Sequence, residues 1–165
     1  MTGLSEQPTR TVAQWFVLET SIHEEESVSR TLTSKAIEHF LPMEVRAFKA
    51  SRRGPTRMMA IEVPLLPGLM FVMADIETAI NIPNHVRHAE EIWCDGHGSP
   101  LVLSRAELLR FQSEVQSWLS TCRESIAKGR KPPPKPKALK IKLGEAGARD
   151  AIMQKLFGIA ESEAA

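Results

Sequence analysis

The chain has 165 residues, enough for one domain of about 100–150 residues and a short extension. Apolar residues make up 42% and charged residues 25%, so the chain can bury a hydrophobic core. The 21 basic and 20 acidic residues leave a net charge of +1, which gives no argument for a nucleic-acid coat or an acidic tail. No apolar run is long enough to cross a membrane, and the polar start lacks a signal-peptide core. With only two cysteines, reduced thiols and a cytoplasmic location are expected.

Hydrophobic periodicity predicts strands and helices in a regular order. In chain order, the predicted elements are a strand at 14–19, a helix at 24–39, strands at 43–50, 58–63 and 69–73, a short helix from Asp75 to about 80 that Pro83 ends, a strand at 91–94, and a long helix from 104 to about 127. This order predicts an α+β sandwich, in which helices flank an antiparallel sheet of four to five strands.

Three polar residues are predicted to begin the helices. Ser21 and Ser104 are each followed three residues later by glutamate, which is the spacing of a capping box. Asp75 precedes the short helix and can cap it through its carboxylate.

Positive charge is concentrated near the C-terminus. Residues 128–142 contain lysines, arginines and four prolines but no acidic residue. Proline and like-charge repulsion favour an extended, solvated linker, and the alternative is an arm that attracts phosphate groups. The predicted organisation is a flexible N-terminus at 1–12, a folded domain at 13–127, this basic linker at 128–142, and a helical segment at 143–165.

Four motifs resemble the N-terminal domain of NusG-type transcription elongation factors. They are Trp15–Leu18, Pro64–Val72, Asn81–Val86 and Pro100–Ser104, and they extend over about residues 14–118. The specialised RfaH class resembles the chain in the same way. The family's C-terminal KOW barrel needs more residues than follow Lys142, so no KOW-mediated contact with Rho or the ribosome is expected.

The resemblance implies that the chain binds RNA polymerase and promotes processivity or antitermination. In the family, an apolar patch takes up the clamp helices of the largest polymerase subunit. The matching residues here are Trp15, Leu66, Pro67, Gly68 and Leu69. The two leucines stand where the family carries aromatic residues, so they keep the apolar area without the rings. We expect Leu66→Glu or Leu69→Glu to leave the fold intact and to abolish polymerase binding.

The resemblance also implies contact with the DNA of the elongation complex. Arg52, Arg53 and Arg57 lie on a predicted hairpin tip that in the family projects toward upstream DNA. Asn81 and His85 belong to a predicted turn that in the family lies near the non-template strand. An amide can read a base edge, and an imidazole can stack on an extruded base. The alternative for the arginines is an ordinary solubilising loop.

The same order of elements also describes an RRM-like module that binds single-stranded RNA. That module stacks bases on aromatic side chains of its sheet. Tyrosine is absent from this chain, and Leu69–Met73 lacks the aromatic pattern of such a strand. The RNA-binding module is therefore kept as the alternative function.

No pattern in the sequence indicates an enzyme. The chain has no nucleophile elbow, Walker loop or dinucleotide loop, and no cofactor is expected. His85, His88, Cys94 and His97 are residue types that bind zinc, but a predicted strand separates the two pairs. We therefore expect no metal.

Four apolar residues of the C-terminal segment fall on one side of a predicted helix. They are Ile152, Met153, Leu156 and Phe157. By analogy with the RfaH tail, this helix could mask the patch around Leu66 and Leu69. The alternatives are that it docks on the last long helix, pairs with a second copy or binds another protein.

Overall fold

The computed structural model of the chain describes residues 12–51 and 53–139. Arg52 and the predicted C-terminal helix with its four apolar residues lie outside this part of the chain, as does most of the predicted flexible N-terminus. No helix among the described residues is long and apolar enough to span a membrane.

The described residues form the predicted α+β sandwich, with a four-stranded antiparallel sheet and a separate two-stranded ribbon. The strands of the sheet are β1 (Gln14–Thr20), β2 (Glu38–Phe40), β5 (Leu69–Ala74) and β6 (Ala89–Ile92), in the spatial order β2-β5-β1-β6. The ribbon pairs β3 (Met43–Ala50) with β4 (Arg57–Pro64). The helices are α1 (Glu25–Ser34), α2 (Ile76–His85) and α3 (Arg105–Ala127).

Alternation along the central strands divides the apolar side chains between the two faces of the sheet. Trp15 and Val17 of β1 lie in one cluster with Phe71 of β5 and the buried face of α3. Phe16 and Leu18 lie in a second cluster with the buried residues of α1 and α2. Both faces are therefore covered by helices, which explains why β1 and β5 are almost continuously apolar.

The predicted boundaries of the first two helices are wrong. The first helix was expected to reach residue 39, but it ends at Ser34. Ala36 takes a positive φ of 56°, and the following residues form β2 against β5. The second helix continues through Pro83 to His85. Pro83 is tolerated because it lies in the last turn, where its missing N–H removes a single helical hydrogen bond.

Two of the three predicted caps are confirmed. Asp75 accepts a hydrogen bond from the Thr78 amide at 2.7 Å, and Ser104 Oγ accepts one from the Glu107 amide at 3.4 Å. Ser21 does not cap α1, because its hydroxyl donates to Glu90 on β6 at 3.0 Å.

Part of the basic linker packs against the domain instead of lying free in solvent. We call residues 131–139 the strap. Trp118 Nε1 of α3 donates to the Pro133 carbonyl at 3.4 Å, and Lys135 forms an ion pair with Glu44, a carboxylate that is itself buried. Leu139 is fully buried in the cluster beneath α3. The sequence alone did not reveal these contacts, because charge and proline content dominate this segment.

Candidate functional site

The bend at Pro67 and Gly68 joins the ribbon to the centre of the sheet. Gly68 has a φ of +79°, a conformation that favours glycine. Its carbonyl accepts a hydrogen bond from the Thr20 amide at 2.8 Å, and the Leu69 amide donates to the Leu66 carbonyl at 3.1 Å. A Cβ at Gly68 would lie 3.2 Å from the Thr20 carbonyl oxygen, so the end of β1 touches the bend directly.

A buried carboxylate holds the bend from the side of α1. Glu25 is only 3% exposed, and its Oε1 accepts a hydrogen bond from the Gly68 amide at 2.8 Å. Sequence reasoning missed this residue, because an acidic residue in the first turn of a helix is normally explained by the helix dipole. The one available signal was an acidic residue at a predicted helix start, and it does not identify a partner so distant in the chain.

The apolar residues of the predicted polymerase patch lie inside the protein. Trp15, Leu66 and Leu69 are 4%, 0% and 7% exposed and belong to the cluster beneath α3. The expectation that Leu66→Glu or Leu69→Glu leaves the fold intact is therefore wrong, since an ionised carboxylate would replace a buried side chain. Around the bend, Pro67 and Ile22 are the apolar residues that reach solvent. Ile22 Cγ1 lies 3.4 Å from the Cβ position of Gly68.

An acidic pair lies beside the bend on the sheet. Glu19 of β1 is paired with Leu69 on one side and with Glu91 of β6 on the other. Burial and then the neighbouring Glu91 carboxylate raise the pKa of Glu19 above its ordinary value. Trp93 Nε1 donates a hydrogen bond to Glu19 at 3.3 Å, and this bond lowers the pKa of Glu19.

The predicted DNA-contacting residues occupy two separate places. Arg53 and Arg57 are exposed at the tip of the ribbon. Asn81 and His85 were predicted to lie in a turn, but they belong to the second half of α2. Because α2 packs on the opposite face of the sheet from α3, the structure does not bring these two pairs together.

Asn81 and His85 face a groove of about 370 Å³ between α2 and the segment that joins α1 to β2. Its lining residues are Lys35, Ile37, Glu77, Thr78, Asn81, Ile82, His85 and Val86. The Asn81 amide nitrogen donates to the Glu77 carbonyl at 3.0 Å, which fixes the side chain along the helix. Lys35 adds a cation that the sequence analysis did not single out, because it lies far from α2 in the chain.

The sheet face that an RRM would use for RNA is covered here. Trp15 and Phe71 are 4% and 0% exposed beneath α3. Phe71 stacks with Phe40 at a centroid distance of 6.2 Å and meets Phe111 of α3 edge-on at 6.0 Å. Bases therefore cannot stack on these rings in this structure, which counts against the RNA-binding alternative.

Metal-binding residues do not converge in the part of the chain that the structure describes. No three histidine, cysteine, aspartate or glutamate side chains there lie close enough to hold a metal ion.

The fold defines the class of protein: an α+β domain whose four-stranded antiparallel sheet carries helices on both faces and a projecting β-ribbon. A family model described as "Transcription termination factor nusG" matches residues 13–112. This match extends over more than half of the chain, so the chain belongs to the NusG family of transcription factors. No curated protein gives a significant match.

Proposed function

We propose that the chain is a transcription elongation regulator that binds RNA polymerase at the Pro67–Gly68 bend and promotes processivity or antitermination. Membership of the NusG family is the observation that carries this proposal. The clamp helices of the largest subunit are the proposed contact. The family is one of transcription factors, and we propose no enzymatic activity for the chain.

We infer two roles for the five predicted patch residues. Pro67 is exposed and, together with Ile22, offers an apolar contact surface at the bend. Trp15, Leu66 and Leu69 support this surface from beneath, and Gly68 sets its shape through its positive φ. A few apolar side chains on a rigid surface can supply most of the binding energy of an interface.

The test uses two exposed isoleucines, one beside the bend and one on α2. Ile22 is 61% exposed beside the bend, and Ile80 is 50% exposed on α2. Ile22→Asp should weaken binding of purified RNA polymerase to the immobilised full chain by roughly 30-fold, which corresponds to an anchor of about 2 kcal/mol. Ile80→Asp should bind like the unaltered chain. Equal binding by all three proteins would exclude the bend as the contact.

The effect on transcription is measured separately. On a template with a pause site and a terminator, the unaltered chain should shorten the pause and increase readthrough. Ile22→Asp should do neither at the same concentration, whereas Ile80→Asp should retain both effects. A chain that binds polymerase but lengthens pauses would refute the proposed direction of regulation.

We propose that the arginines of the ribbon contact upstream DNA and that the groove beside α2 contacts the non-template strand. Arg52, Arg53 and Arg57 supply the charge on the ribbon, and exposure of the last two at the tip supports this role. Lys35 and His85 combine a cation with an aromatic ring in one groove, which suits a single-stranded nucleotide.

Salt dependence tests the proposal for the ribbon. Replacing Arg53 and Arg57 with alanine should lower the slope of log K against log salt by about 2 for binding to elongation complexes, since each phosphate contact contributes about 0.9. Arg110→Ala, an exposed arginine on α3, is the control. An unchanged slope would remove the ribbon from the DNA interface.

A further inference from the structure

Toward its tip, the β3–β4 ribbon has one face that no described element covers. Directly opposed residues of an antiparallel pair share a face, and Phe48 is paired with Met59 while Arg46 is paired with Ile61. Phe48, Met59 and Ile61 therefore lie together, and they are 46%, 46% and 49% exposed. We call these three residues the ribbon patch.

The other face of the ribbon already has its partner. Val45 is buried against α3, and Glu62 forms two hydrogen bonds with Arg123 of that helix at 2.6 and 3.0 Å. Helix α3 therefore holds the ribbon by this face, and the ribbon patch points away from α3. Three large apolar side chains so close together on an exposed sheet face are typical of a contact surface.

The strap contacts the base of the face that carries the ribbon patch. Glu44, Arg46 and Phe48 alternate along β3 and point to one side of the ribbon. Lys135 of the strap forms an ion pair with Glu44. Leu139, which follows soon after in the sequence, is buried. The described chain thus ends at Leu139, soon after this contact with Glu44, and Phe48 lies roughly 13 Å along the strand from Glu44.

The chain that follows has the length and chemistry to cover the ribbon patch. A random coil of the length of residues 140–151 would span on the order of 20 Å, which exceeds the distance between Glu44 and Phe48. Ile152, Met153, Leu156 and Phe157 share one side of the predicted helix.

We propose that residues 151–157 pack as an amphipathic helix on the ribbon patch. The Leu66–Leu69 region is a poorer site, because both leucines are already buried in the core. The exposed pair Ile76 and Ile80 is also a poorer site, because α2 lies on the face of the sheet opposite the strap. The contact does not depend on polymerase binding, so it can be tested without polymerase.

Photo-crosslinking in the full chain tests the contact. A benzoylphenylalanine at position 59 replaces Met59, and the same residue at position 80 serves as the control. Irradiation of the dilute monomer should give an intramolecular crosslink between position 59 and residues 151–157, and position 80 should give none. Crosslinks from position 59 to a second copy, or no crosslink to the tail, would overturn the proposal.

Proteolysis gives a second measurement on matched variants. Trypsin can cut the tail after Arg149 and Lys155. The double variant Phe48→Ser/Met59→Ser should speed cleavage after Lys155 about tenfold, the ratio that 1.4 kcal/mol of docking free energy produces. Ile80→Ser should leave the rate unchanged. Equal rates for all proteins would overturn the proposal, while the polymerase-binding assay with Ile22→Asp would be unaffected.

Discussion

Glu25 accepts a hydrogen bond from the amide of Gly68 at 2.8 Å across 43 residues of sequence. The bond ties the first turn of α1 to the bend between β4 and β5. Glu25 is 3% exposed, so this hydrogen bond is shielded from bulk water. The conformation of the proposed polymerase contact thus depends on a residue outside the recognisable motif.

Removing this carboxylate should destabilise the protein. Glu25→Ala leaves the buried Gly68 amide without an acceptor, and we expect the free energy of unfolding to fall by about 1–3 kcal/mol in urea titrations. Glu25→Gln keeps a carbonyl oxygen at the same place, so its free energy of unfolding should fall by less. Equal losses for the two variants would show that the hydrogen bond to Gly68 is not the cause.

Gly68→Ala should be more costly than the same change at Gly98. Both glycines have a φ near +80°, so both alanines suffer the left-handed strain of roughly 1–2 kcal/mol. At Gly68 the new Cβ would also lie 3.2 Å from the Thr20 carbonyl, whereas at Gly98 nothing lies within 4 Å. The difference in unfolding free energy between the two variants measures the cost of the contact between the new Cβ and the Thr20 carbonyl. A difference of zero would show that this contact costs nothing.

The acidic pair at β1 and β6 should make stability depend on pH. The pKa of Glu19 is raised in the folded protein, so the folded state holds this proton more tightly than the unfolded state does. Ionised Glu19 therefore lowers the free energy of unfolding at neutral pH. This loss of stability decreases as the pH falls through the raised pKa, and it vanishes below the ordinary value of 4.5.

Glu91→Gln removes the like charge opposite Glu19 and tests this dependence. It should stabilise the protein by about 0.2–1 kcal/mol at pH 7, and the gain should disappear in acid. Glu38→Gln, which changes an exposed glutamate on the edge strand β2, is the control for the loss of one charge. A gain that is the same at pH 7 and below pH 4.5 would contradict the electrostatic explanation.

The strap should contribute to the stability of the domain. Leu139 is fully buried, so Leu139→Ala should lower the free energy of unfolding by at least about 2 kcal/mol. Leu109 on α3 is 45% exposed, and Leu109→Ala should cost less than about 0.5 kcal/mol. Thermal unfolding followed by circular dichroism compares them, and equal midpoints would mean that the strap is not part of the folded unit.

Local patterns predicted those features that depend on neighbouring residues. The bounds of β3 at Met43–Ala50, and the caps Asp75 and Ser104, follow from alternation and from side chains that bond amides three residues away. The strand β2 was missed, because three residues carry no periodicity and its existence depends on pairing with β5.

The amino-acid sequence by itself determined the class of fold, the family resemblance and the position of the Pro67–Gly68 bend, because strand and helix periods and glycine–proline chemistry are local. Only the tertiary structure decided that Leu66 and Leu69 are buried, that Glu25 holds the bend, and that the strap reaches Glu44. These outcomes depend on which distant segments cover one another, and burial and pairing between distant segments leave no periodic signal in the chain.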